Sequence, residues 1–159
     1  RIERIARGLY RDPDHAPSQH EQLAEVARRV PGGIVCLLSA LRFHELTTQN
    51  PYEVWLAIDQ KAWRPAFNYP PIRLMYMSGQ ALTSYVREHD VHGTRVRVFD
   101  PAKTVADCFK FRNKIGVEVA VEALREYRRS RPGELEEVWR AAEVDRVTRV
   151  IQPYLDATL

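Results

Sequence analysis

The stretch Asp100-Pro-Ala-Lys-Thr-Val-Ala-Asp107-Cys-Phe-Lys-Phe-Arg-Asn113-Lys-Ile-Gly116-Val-Glu-Val-Ala-Val-Glu-Ala-Leu124 decides how this chain folds. Asp100 reads as an N-cap, because its carboxylate can accept from the free backbone N–H groups of a first helical turn. Pro101 then takes the first helical position, where no N–H is needed. Val105, Cys108, Phe109 and Arg112 follow at helical spacing and give one apolar face. Gly116 can take the left-handed conformation that ends a helix. Val117, Ala120, Val121, Leu124 and Tyr127 mark the buried stripe of the next helix. On its outer face Glu122 faces Arg125 and Glu126 faces Arg129, each pair three apart and able to interact. Two helices joined at a glycine are expected here, with Lys103 and Asp107 placed to pair on the first.

Working upstream, Thr94–Phe99 and Tyr85–Val91 read as two strands around His92-Gly93, a hairpin turn. Ile72–Met77 alternates like a half-buried strand, and Glu53–Ile58 has β-like content. Between them, 60–71 is a loop with three prolines and exposed-looking Trp63, Phe67 and Tyr69, beside Lys61 and Arg64. The apolar run Ile34–Glu45 is expected to be a central helix. Ser18, with Glu21 three residues on, forms a capping box for a helix running to about Arg29. Pro31-Gly32-Gly33 breaks that helix. The turn-rich joint 11–17 separates a short N-terminal piece, 1–15, from the main domain, 16–159. Downstream, Ser130-Arg-Pro-Gly133 ends the second helix of the opening stretch. A helix bearing Leu135, Val138, Trp139 and Ala142 follows, then a last one bearing Val147, Val150, Ile151, Tyr154 and Leu155, with Pro153 inside it. The expected fold is α+β: a small, mostly antiparallel sheet of three to four strands packed with about six helices.

The 159 residues are 45% hydrophobic and 28% charged, enough for one proper core. No apolar run is long enough to cross a bilayer, and no signal-peptide pattern opens the chain. Its first residue is Arg1, which reads as a trimmed start. Cys36 and Cys108 are both expected on helices, as reduced core thiols of a cytoplasmic protein. A net charge of +3 is too mild to imply nucleic acid. Its distribution says more. Arg1, Arg4, Arg7 and Arg11 crowd the start and are assigned to phosphate contacts. Arg125, Arg128, Arg129 and Arg131 are read as a solvated helix end.

Catalytic motifs are sparse. Asp59-Gln-Lys61 after a strand has the spacing of a metal-dependent nuclease element, which also needs another acid upstream, Glu45 or Glu53. A charged strand exit is the preferred reading, with the nuclease kept as the alternative. Asp12-Pro-Asp14 flanks a proline in a turn, which does not suit a two-metal nucleotidyltransferase. His89-Asp90-Val-His92 brackets the hairpin turn, and residues three apart on a strand point to opposite faces. His44 sits among apolar residues, as a satisfied histidine would. No cofactor, metal site or catalytic residue is assigned.

Lys103-Thr104, Asp107-Cys108-Phe109, Arg112-Asn113-Lys114-Ile115-Gly116 and Glu122-Ala123-Leu124 together resemble the signature block of the AbiEi family. That family comprises antitoxins and transcriptional regulators of bacterial type IV toxin–antitoxin systems. Ser39-Ala40-Leu41 with His44 and Leu46, and Arg146-Val147 with Pro153-Tyr154-Leu155, are similar to its other helices. The resemblance covers roughly residues 8–158. The family opens with a winged helix-turn-helix, of which 1–10 looks like only the last strand. The resemblance implies a non-enzymatic antitoxin and autorepressor acting in phage defence. Its partners would be operator DNA, bound mostly through the absent front module, and a nucleotidyltransferase-like toxin opposed without a stable complex. No membrane partner is implied. Lys103, Asp107, Arg112 and Asn113 would be a structural or functional cluster. A polar network pinning helix to sheet, or a pure dimerisation module, stands beside that reading.

Overall fold

A computed structural model describes the backbone of residues 3–6, 9–11 and 18–158, with side chains from 18 to 157. Its central sheet begins with a strand that sequence reading missed. Ile34 and Val35 form β3 (Ile34–Val35), and only then does the chain enter α2 (Leu37–Phe43). A continuous apolar run does not distinguish a buried strand from a buried helix. Here the β-branched pair is extended, Cys36 is extended too (φ −138°), and Leu37 turns the chain at φ 46°.

β3 lies at the centre of five strands, in the order β5-β4-β3-β7-β6. The others are β4 (Val54–Asp59), β5 (Ile72–Met77), β6 (Val86–Val91) and β7 (Thr94–Phe99). β3 pairs antiparallel with β4 and parallel with β7, while β4 and β5 run parallel from Val54↔Ile72 to Asp59↔Met77. A sheet of three to four mostly antiparallel strands is therefore replaced by a mixed sheet of five. The cause of the β4–β5 parallel pairing is the intervening segment. A parallel neighbour needs a crossover of about a dozen residues, and the stretch between Asp59 and Ile72 provides it without a helix. The strands expected at 53–58 and 72–77 are present as β4 and β5, and the β6–β7 hairpin also matches expectation. His92 and Gly93 sit at φ 50° and 77°, the left-handed pair such a turn requires, and Asp90 Oδ1 accepts from Gly93 N at 2.9 Å.

Eight helices occur among the described residues, not six. α1 (Gln19–Arg29) starts as foreseen, with Ser18 Oγ accepting from Glu21 N at 3.1 Å. α3 (Gln80–Thr83) is a single turn that carried no recognisable signal. The helix from Asp100 is two pieces, α4 (Pro101–Lys110) and α5 (Arg112–Ile115), because Phe111 leaves helical geometry and packs half-buried against the core. Gly116, at φ 92° and ψ 136°, leads into α6 (Val117–Ser130). α7 (Leu135–Asp145) and α8 (Thr148–Thr158) follow, turned about Arg146 at φ 60°. Arg146 and Val147 thus lie in a turn rather than in the last helix.

Strand alternation divides the core. Val54, Leu56 and Ile58 of β4 face one side with Val96 and Val98 of β7, and there α1 packs through Leu23 and Val26. Trp55, Ala57 and Phe99 face the other, where α4 is the hub for α2, α6, α7 and α8. Residues 102–109 of α4 are buried on every side, which a one-face amphipathic reading did not anticipate. At the N-terminus, β1 (Glu3–Ala6) and β2 (Leu9–Arg11) pair antiparallel as a separate two-stranded sheet, not a lone strand. The proposed domain joint at residue 15 lies outside the described residues.

Candidate functional site

α4 begins where sequence said it would. Asp100 Oδ1 accepts from Lys103 N at 2.8 Å, and Pro101 opens the helix. This start fixes the rotation of the helix and turns Lys103 inward, under the sheet. Its ammonium lies 4.0 Å from the centroid of the Phe99 ring. One helical turn on, Asp107 Oδ1 accepts from Lys103 Nζ at 2.7 Å. Asp145, from the end of α7, brings Oδ1 to 3.5 Å from the same nitrogen. All three side chains are essentially inaccessible to solvent.

Two acids thus share one cation. Asp107 Oδ2 and both Asp145 oxygens find no hydrogen-bond donor among the described residues. Burial pushes the Asp107 carboxyl well above its ordinary range; Lys103 opposes the rise and the adjoining Asp145 adds to it. Burial pulls the Lys103 ammonium down, but Asp107 and Asp145 outweigh it and hold its pKa above the usual lysine value. The raised Asp107 pKa favours its protonated form, the response expected of a buried carboxyl beside a second acid. Cys36 and Cys108 are free, buried thiols, both raised by burial and next by the nearby Asp107 charge. Cys108 is on α4 as expected, whereas Cys36 precedes α2 and donates its N–H to Trp55 O at 3.0 Å.

The four residues grouped by resemblance do not stay together. Lys103 and Asp107 meet in the core. Arg112 donates to Phe109 O at 2.8 Å, closing the end of α4. Asn113 is exposed on α5. No hydrogen bond or ion pair joins either to Lys103 or Asp107 among the described residues. Asp145, the third member of the buried centre, was missed because a lone acid at a helix end carries no sequence signal.

Other expected residues fall as follows. Asp59 ends β4, exposed, and its Oδ1 accepts from Lys61 N at 2.8 Å, a local turn bond. His44 Nε2 donates to Phe99 O at 2.8 Å, and burial lowers its pKa to about 4. His89 packs edge-on to Phe43, at 4.8 Å between ring centroids, while His92 is exposed in the turn. Glu126 pairs with Arg129, but Glu122 accepts from Thr48 N instead of meeting Arg125. Arg125 and Arg128 line a surface groove of about 820 Å³ with Leu135 and Glu136. Arg1 and Arg7, with Asp12 and Asp14, lie outside the described residues; Arg4 and Arg11 are on β1 and β2, with side chains likewise outside. Among the described residues no helix is long and apolar enough to cross a membrane. No known protein-family model matches this chain, and no curated protein matches it.

Proposed function

We propose that the chain is the main domain of an AbiEi-type antitoxin, opposing a nucleotidyltransferase-type toxin without doing chemistry of its own. The observation that carries this reading is where the resembling residues sit. Lys103, Thr104, Asp107, Cys108 and Phe109 are all buried on α4, and Ala123 and Leu124 of α6 belong to the same core. A string of surface residues can recur by chance. A buried, mutually packed set is constrained by close packing, so its recurrence favours kinship of fold.

In this reading the N-terminal piece, with Arg1, Arg4, Arg7 and Arg11, completes a DNA-binding module that represses the system's own operon. Residues 16–159 counter the toxin in the bacterial cytoplasm during phage defence. Asp59 acts as a turn residue, which its bond to Lys61 N supports over a nuclease role.

The test is toxin rescue in cells. The neighbouring nucleotidyltransferase-like gene is co-expressed with the full-length protein, with this chain, and with a version lacking residues 16–159. Growth restored by the first and lost with the deletion is expected. Undiminished rescue by the deletion would overturn the assignment.

A further inference from the structure

The loop between β4 and β5 serves a second purpose beside its crossover. Every large apolar side chain exposed among the described residues falls between 52 and 76: Tyr52 at 77%, Trp63 at 95%, Tyr69 at 36% and Tyr76 at 40%. All four are Tyr or Trp, with no exposed Leu, Ile, Phe or Met among them. Cations are interleaved. Lys61 and Arg64 are exposed and have no acidic partner among the described residues, and Arg73 lies 5.1 Å from the Trp55 ring centroid. The segment holds two acids: Glu53 is half-buried beside Tyr52, and Asp59 is turned back onto the Lys61 backbone.

The loop also encloses space. A groove of about 590 Å³ runs between it and β5, lined by Arg64, Phe67, Asn68, Ile72 and Leu74. That volume is in the range of small-ligand sites. Arg29, at the end of α1, sits 5.0 Å from the Phe67 ring centroid at its side. By strand alternation Tyr76 shares the face of β5 that carries Ile72 and Leu74.

We infer that this segment binds single-stranded nucleic acid, with a base stacked on the exposed Trp63 and phosphates held by Lys61 and Arg64, which flank it in sequence. Flat aromatic faces set among unpaired cations are the two elements such binding needs, and every base offers a π-face. Protein interfaces also use Trp, Tyr and Arg, so a second copy is kept as an outcome of the test; Lys61 and Arg64, exposed and without an acidic partner among the described residues, favour a polyanion. A duplex hides its bases, so the aromatics would be idle on it. Charge complementarity therefore selects the occupant. The site is independent of the antitoxin reading and stands even where toxin rescue fails.

The test is fluorescence anisotropy with the full 159-residue chain and labelled oligo-dT and oligo-U of about 12 nucleotides, the site size of comparable stacking grooves. A duplex of equal length is the control. Binding to the single strands, weaker on the duplex, is expected. Trp63→Ala should weaken it about tenfold with the salt slope unchanged, because stacking releases no counterions. Lys61→Ala/Arg64→Ala should lower the salt slope by about one to two. Both positions are exposed, and circular dichroism verifies their folding. Equal affinity for dT and U marks base-and-phosphate recognition; preference for U adds the 2′-hydroxyl. Binding that Trp63→Ala leaves intact, or a duplex bound equally well, overturns the inference, because arginines elsewhere would then suffice. So does concentration-dependent self-association removed by Trp63→Ala in the absence of oligonucleotide binding, which would make a second copy the occupant.

Discussion

Asp145, the last residue of α7, stands 3.5 Å from the ammonium of Lys103, in the first turn of α4. The Lys103–Asp107 pair is local, one turn along a helix, and needs no tertiary structure. The Asp145 contact exists only when α7 has docked. It ties the end of one helix to the start of another through a charge that has no water to fall back on. The energetic consequence depends on which partner is removed.

Lys103→Met should leave two buried carboxyls without a cation and lower stability by about 3–5 kcal/mol. Asp145→Asn keeps the close Lys103–Asp107 pair, removes the excess acid and offers an amide donor to the orphaned Asp107 Oδ2. It should fall within about 1 kcal/mol of the parent or exceed it. Urea denaturation of both variants reads the difference. A loss in Asp145→Asn as large as in Lys103→Met would mean that the second carboxylate is needed as an anion.

The same centre gives stability a pH slope. The Asp107 carboxyl, raised by burial, keeps its proton in the folded state at pH values where the unfolded chain, near 3.8, has lost it. Stability is then full below that value and declines as pH rises toward the folded pKa. Asp145→Asn removes the neighbouring acid that adds to the rise, so its denaturation midpoint should decline less over the same range. Parallel slopes for parent and variant would show that Asp145 does not raise Asp107.

His44 titrates in the opposite sense. Burial lowers its pKa from 6.5 to about 4, with Arg131 and His89 lowering it further and the Phe99 carbonyl opposing. The unfolded chain takes up the proton first as pH falls. Stability is therefore complete above 6.5 and lost between 6.5 and 4, by up to about 3 kcal/mol at the lower end. His44→Gln, which can still donate to Phe99 O, should abolish that segment of the profile. An unchanged acid limb would assign acid sensitivity to other groups.

How far these features were legible varies with the reach of the interaction. Capping by Ser18 and Asp100, the His92-Gly93 turn and the Lys103–Asp107 pair each involve residues a few positions apart, and each is readable as a motif. Asp145 joins the centre from a distant helix, and no spacing encodes that. β3 was hidden for a related reason. Two residues, Ile34 and Val35, are too few for alternation to declare a strand, and only their neighbours β4 and β7 make them one. The parallel β4–β5 pairing was likewise a matter of where the loop travels, which composition does not specify. Aromatics in that loop were visible from the start; that the large apolar side chains exposed among the described residues all fall between 52 and 76 was not.

Packing across β3 gives a sharper test. A Cβ on Gly33 would lie 2.7 Å from Leu56 Cδ2 and within 3 Å of two further carbons of that side chain, while one on Gly32 meets nothing. Leu56 is buried in the strand next to β3 and cannot swing away. Gly33→Ala should cost about 1–3 kcal/mol through overpacking, and Gly32→Ala should be near neutral. Comparable thermal midpoints for the two would mean that the β3–β4 edge yields more easily than its packing implies.

The last prediction separates fold from function inside the resembling block. Lys103 and Asp107 are buried, so any loss of toxin rescue on changing them is confounded with unfolding. Asn113 and Lys114 are exposed on α5 and take no part in the core. Should the block itself meet a partner, these are the side chains that reach it. Asn113→Ala/Lys114→Glu should keep the parent's thermal midpoint to within about 0.5 kcal/mol in stability, as surface changes do, and reduce rescue in cells. Lys103→Met should reduce rescue only as far as it reduces the amount of folded protein, which a quantitative blot of the soluble fraction measures. If the surface pair is fully active while Lys103→Met fails at normal abundance, the buried centre acts in toxin neutralisation through more than stability, and the assignment of α5 as the contact surface is wrong.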